Sequence, residues 1–242
     1  MTVLAQISAA AAEDGLAIDR KGNLEDAAYA QLRAALIDGH FVPGQSFTIR
    51  ALASVFGTSV MPVRDALKRL VAERALDLLP NRTVIVPRMS RARFEEVLQI
   101  RLALEPQIAE RATVHATPEL IAAMVQDDTA MQDAVDAGNA ARYLSSNRRF
   151  HFRLYAMADM QVMQSVIEAM WMQVGPYINQ VFREGDNRGT RQAGGHHAAV
   201  IEALRKGDGR SVGHAIASDL SDAANAILTA NWFFPEAEEK AA

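Results

Sequence analysis

The chain has 242 residues, half of them apolar, 22% charged and 6% aromatic, with a formal net charge of −4 and no cysteine. That length accommodates one large domain or two small ones with real cores, and the lack of cysteine excludes disulfides and thiolate metal sites. No window approaches the roughly 20 apolar residues of a membrane span, and the residues after Met1 lack the basic and apolar regions of a secretory signal, so a cytoplasmic location with no membrane partner is expected.

Residues 1–22 are Ala-rich and weakly patterned, and read as a flexible N-terminal arm. From Leu24 to Ile37 a helix is expected, with Tyr29, Leu32 and Leu36 on one side and a stop at Gly39 before the Pro43-Gly44 turn. Thr48 caps a second helix over Ile49–Phe56. Gly57-Thr58 gives a tight turn, and Ser59 stands as N-cap of a third helix from Val60 to Leu70. There Val63, Ala66, Leu67, Leu70 and Val71 follow the spacing of a buried stripe, leaving Arg64, Lys68 and Arg69 on another face. Helix, Gly-containing turn, helix is the helix-turn-helix arrangement. Ala75–Leu79 and Val84–Val86 read as strands around Pro80-Asn81-Arg82-Thr83, a wing with Arg82 at its tip. Residues 23–89 are therefore expected to form a winged helix-turn-helix DNA-binding domain, and there Lys and Arg exceed Asp and Glu by two, against the acidic balance of the whole chain.

After Pro87 the pattern changes to long helices: Ser90 to Thr113, Thr117 to Ala137, Ala140 to Met157, Val162 to Phe182 with an interruption or bend at Gly175-Pro176, Arg188 to Arg205, and Asp208 to Asn231. Six helices with short connections over residues 90–232 make an all-α bundle, followed by an acidic tail over 233–242. The fold class is mainly α, a small winged head and a helical bundle.

The bundle carries polar residues on faces that should be apolar. Phe94, Val97, Leu98, Arg101, Leu102 and Glu105 share one helical stripe, which aims an Arg and a Glu at the core. One reading is a buried i, i+4 ion pair; the other is an arginine that waits for an anionic ligand, which its two-pronged geometry suits. Asn147 and His151 are also i, i+4 neighbours, and later helices add His196, His197, His214 and Asp219. Such N and O donors from several helices can form a metal site, although a lone His is more often a satisfied or exposed residue. His196 and His197 cannot both face inward. The many methionines read as core filler more than as a pocket lining.

With these residues in place, the chain resembles the GntR family of bacterial transcription regulators, in the branch with an all-helical FCD effector domain. The marks are Tyr29, Leu32-Arg33, Ile37-Asp38-Gly39, Pro43-Gly44, Arg50-Ala51-Leu52-Ala53 and Pro62-Val63-Arg64-Asp65-Ala66-Leu67, then Arg101 with Leu104-Glu105, Asn147 with Phe150-His151, and His197. The resemblance implies a homodimer on an inverted-repeat operator, with Arg50, Ser59, Met61, Pro62 and Arg64 against DNA and a wing contact from Arg82. It also implies a small organic acid as effector, bound by Arg101, Asn147, His151 and His197. Its metal positions fall on Asn147, His151, His197 and Asp219. Asp219 stands where the family more often has a third His, which moves the balance among zinc, nickel, manganese and magnesium toward the harder ions. Val60 and Thr83 depart from the residues common at their positions.

The function expected is a ligand-responsive regulator, a repressor of a catabolic operon, and not an enzyme. The rivals are a metal-dependent enzyme built on the bundle, and a regulator whose bundle only dimerises.

Overall fold

The computed structural model describes residues 23–79, 83–183 and 188–235, without side chains between 182 and 194. The arm over 1–22, Arg82 at the wing tip and the acidic residues beyond 235 lie outside the described residues. Two compact units are formed. The first holds the described residues 23–90 with Trp171–Tyr177 and 233–235; the second holds Arg91–Met170 and Ile178–Trp232.

In the first unit, helix α1 (Leu24–Ile37) begins at Asn23, whose side chain accepts from the Glu25 N–H, and ends before Gly39 at φ 64°. Helix α2 (Ile49–Val55) starts from Thr48, which accepts the Ala51 N–H at 3.2 Å. Gly57, at φ 60°, turns the chain into α3 (Val60–Ala72). Helix α3 buries Val63, Ala66, Leu67 and Leu70, the stripe read from the sequence, and packs on α1 and α2.

The wing has three strands where two were expected. Strand β3 (Val84–Ile85) lies between β1 (Ser46–Phe47) and β2 (Asp77–Leu78), antiparallel to both, with Phe47 opposite Val84 and Asp77 opposite Ile85. A two-residue strand such as β1 has no alternation to read; its pairing with β3 and the packing of Phe47 on Phe41, ring centroids 5.4 Å apart, create it.

The second unit contains α4 (Arg91–Ala112), a 3-10 turn at Thr113–His115, α5 (Pro118–Asp136), α6 (Ala140–Ala156), most of α7 (Gln161–Arg183), α8 (Arg188–Lys206) and α9 (Gly209–Ala230). Starts are marked by side-chain caps: Thr117 ahead of Pro118, Asn139 after Gly138, and Asp208 after Gly207. Helix α9 packs on α4 and α8, α5 on α6 and α8, and α4 on α6. Among the described residues no helix is long and apolar enough to cross a membrane.

Helix α7 runs through Gly175-Pro176 as one helix. Proline lacks the N–H of one helical bond, and the helix continues past it. Its segment Trp171–Tyr177, which the sequence assigns to the bundle, belongs to the first unit. Gly175 explains the approach: a Cβ there would sit 2.7 Å from the Ile37 carbonyl oxygen and closer still to that of Leu36. The Tyr177 hydroxyl accepts the Met89 N–H at 2.6 Å, and its ring stacks on Phe233.

Candidate functional site

The exposed face of α3 and the start of α2 form the first candidate surface. Arg50, Ser59, Met61 and Arg64 are exposed and Pro62 is half-buried. Ser59 occupies the N-cap position, but its side chain makes no capping hydrogen bond, contrary to the role its place suggests. Met61 is 58% exposed, and its sulfur lies 3.8 Å from Arg64 Nη1. The other cations of α3 are engaged within the unit. Lys68 Nζ meets Asp65 at 2.8 Å. Arg69 pairs with Asp26 at 2.9 Å and lies over the Tyr29 ring, 3.8 Å from its centroid. Lys68 and Arg69 are exposed as well, so the outward face of α3 runs from Ser59 and Met61 through Arg64 to Lys68 and Arg69, and Arg64 is the cation there that stands outside these ion pairs.

The second candidate lies inside the bundle, where α4, α5, α6, α8 and α9 each contribute a polar side chain. His151, His197 and Asp219 are all buried, and one donor atom from each lies within 4.8 Å of the others. His151 Nε2 is 3.3 Å from Asp219 Oδ2, and His197 Nε2 is 3.7 Å from Asp219 Oδ1. Asn147 stands one turn before His151 on the same face of α6 and is buried too. His214 is exposed, and His196 turns aside to hydrogen-bond Asp222 at 2.7 Å, so His197 is the inward member of its pair.

Arg101, 6% exposed, donates through Nε and Nη2 to the two oxygens of the fully buried Glu105, the ion pair of the first reading. Burial opposes its charge, but the Glu105 carboxylate outweighs burial and holds the guanidinium above its ordinary range. Glu105 also accepts from the Tyr155 hydroxyl at 2.6 Å, and Tyr155 meets His151 Nδ1 at 3.1 Å. Burial and Glu105 together push the Tyr155 phenol far up, so it stays protonated. Burial raises the Asp219 carboxyl, yet the hydrogen bond with His151 and the nearby His197 bring it below the ordinary carboxylate value.

The donor chemistry suits a divalent ion. His197 Nε2 is buried without a hydrogen-bond partner although it faces Asp219, a separation too long for a hydrogen bond. Two imidazoles, a carboxylate and a neighbouring amide are ligands for borderline metals.

Tyr143, Tyr155 and Asp128 escaped the sequence reading. The tyrosines continue the four-residue spacing of Asn147 and His151 along α6, and both are buried. Asp128 interrupts the apolar stripe Ile121, Met124, Met131, Val135 of α5. A polar residue on an apolar stripe was the available signal in each case.

Residues 24–86 match the family of bacterial regulatory proteins named gntR, and residues 96–222 match the FCD domain. The chain is 27% identical over 186 residues to the HTH-type transcriptional regulator McbR of Escherichia coli K12, covering 77% of this chain and 84% of McbR. It is 30% identical over 135 residues to an HTH-type transcriptional regulator of the TAR-I ttuE-ttuC' intergenic region of Agrobacterium vitis, covering 54% of this chain and 79% of that one. To the HTH-type transcriptional repressor RspR of E. coli K12 it is 24% identical over 215 residues, covering 86% and 92%. The solved structure of E. coli McbR/YncC superposes with a TM-score of 0.82 at 24% identity, over 86% of this chain and 99% of that chain, a likeness of fold.

Proposed function

Since the chain belongs to the GntR family of bacterial transcription regulators and carries an FCD effector domain, we propose that it is a homodimeric repressor of a catabolic operon, released from an inverted-repeat operator by a small organic acid. The head over 23–89 reads DNA and the bundle over 90–232 dimerises and senses. The observation that carries the reading is the outward face of α3, where Arg64, Lys68 and Arg69 are all exposed and Lys68 and Arg69 are paired with Asp65 and Asp26. Arg64 and Arg50 meet guanine edges or phosphates, Met61 offers an apolar contact to a thymine methyl, and Ser59 and Pro62 line the approach. That one relative is named a repressor is consistent with the sign.

In the bundle, His151, His197 and Asp219 hold a divalent cation, with Asn147 completing the set. Two imidazoles favour zinc, nickel or manganese over magnesium. A bound ion supplies a Lewis-acidic anchor for the effector carboxylate. Arg101 is the second anchor, and an entering acid competes with Glu105 for its fork. McbR and RspR are named transcriptional regulators, which favours a sensor over an enzyme.

The test uses duplexes selected from a random pool by the wild-type protein. Arg64→Ala lowers affinity tenfold or more at fixed salt, in line with about 1–3 kcal/mol for a base-reading arginine, and leaves the thermal midpoint unchanged. Equal affinity would remove α3 from the DNA interface.

A further inference from the structure

Beside the outward face of α3 the first unit has an apolar groove that base reading leaves unexplained. Ile49 of α2, Leu67 and Val71 of α3, Leu78 of β2 and Val84 of β3 line a cavity of about 520 Å³. Leu67 and Val84 are buried, whereas Leu78 is 50% exposed, a large aliphatic side chain on a two-residue strand. The volume lies in the range of small-molecule sites, about 300–1,000 Å³. Phosphate oxygens gain nothing from such walls, which are stabilised by taking hydrocarbon out of water. The charged side chains of the lining are both cations. Lys68 is paired with Asp65 at 2.8 Å. Arg64 is exposed, and its contact within the unit is the Met61 sulfur, 3.8 Å from Nη1. Its guanidinium therefore keeps most of its five N–H donors for an outside acceptor. Among the described residues no acid lines the cavity. Hydrocarbon walls with a cationic rim complement an occupant that is apolar at one end and anionic at the other.

We propose that this groove binds an amphipathic carboxylate, an aryl or alkyl acid, with its hydrocarbon against Leu67, Val71, Leu78 and Val84 and its anionic end on Arg64. Burial of the hydrocarbon supplies the affinity, and the two-pronged guanidinium fixes which end faces out. Arg64 is also the side chain read above as meeting guanine or phosphate, so the acid and DNA exclude each other. Such an acid acts on the DNA-binding unit directly and owes nothing to the histidine cluster of the bundle. The exclusion rests on the reading of α3 as the DNA-facing helix; the binding itself does not.

Naphthalene-2-carboxylate, titrated into the full-length protein labelled at its Leu and Val methyl groups, tests it. The expected NMR shifts fall on Leu67, Val71, Leu78 and Val84. Leu78→Asp, a change at an exposed position, weakens binding on the order of tenfold or more, through lost apolar contact and like charge. Leu78→Ala, which adds no charge, weakens it several-fold. Naphthalene-2-carboxamide, the neutral analogue, binds about tenfold more weakly, because hydrogen bonds to a charged group contribute more than neutral ones. With a selected duplex, the apparent Kd for DNA rises in proportion to the acid and reaches no plateau, as for ligands that exclude each other. An acid acting from a distant site levels off at its coupling ratio. No binding at millimolar acid, or shifts confined to methyl groups of the second unit, overturns the proposal. Groove methyl groups that shift with duplex and not with the acid overturn it too, and make the groove part of the DNA path. Groove shifts with unchanged duplex affinity overturn the exclusion; full duplex affinity in Arg64→Ala then places the fault in the reading of α3.

Discussion

Arg101 and Glu105 show how a residue-level conflict in the sequence resolves into a structural pair. Both sit one helical turn apart on the inward stripe of α4, and both are buried. Removing one partner strands the other's charge, whereas removing both at similar volume does not. Glu105→Ala is therefore expected to destabilise the fold by roughly 3–5 kcal/mol, measured by urea unfolding. Arg101→Met with Glu105→Leu together should recover most of that loss; a double variant as unstable as the single one would show that the pair is not the source. The conflict itself was legible, because i, i+4 spacing aims both groups inward whatever their partners. The choice between an ion pair and an open fork was not, because it depends on Tyr155 from α6, fifty positions from Glu105 in sequence. The same limit hid the neighbour of Asp128, though not its place on an apolar stripe: only the packing of α5 beside α8 brings it to His197.

At the scale of elements, periodic helices were readable and short pairings were not. The stripe of α3, the Thr48, Thr117 and Asp208 caps and the glycine stops are local chemistry, so the sequence carries them in full. Strand β1 has two residues and exists through β3, and the share of α7 that joins the first unit depends on a close backbone approach at Gly175. That approach makes a sharp prediction. Gly175→Ala gains helix propensity, about 1 kcal/mol at an unconstrained site, yet its methyl would press on the Leu36 and Ile37 carbonyls. Overpacking against backbone typically costs about 1–3 kcal/mol. The net expectation is a lower thermal midpoint by calorimetry, while Gly195→Ala, where a Cβ meets nothing within 4 Å, should not lower it. A higher midpoint for Gly175→Ala would mean that the segment is not held there.

For the whole molecule, a sensor differs from a dimerisation module in one thermodynamic respect. An effector that releases DNA must bind the DNA-free protein more tightly than the DNA-bound one, and linkage makes the two effects equal. A ligand that binds only the folded chain stabilises it by about 2.7 kcal/mol at a hundred times its Kd, so thermal shift with small carboxylates, with and without zinc or manganese, identifies a candidate acid. The candidate is then measured twice on the full-length protein: its effect on affinity for a selected duplex, and the effect of saturating duplex on its own affinity. Both ratios are expected to be the same and on the order of 5–150-fold. Asp219→Ala should bring both ratios toward one, because it removes the carboxylate that joins the two imidazoles. An acid that stabilises the wild type with both ratios at one would occupy the bundle without informing the head. Equal ratios that survive loss of Asp219 would move sensing away from the histidine cluster and onto the Arg101 end of the network.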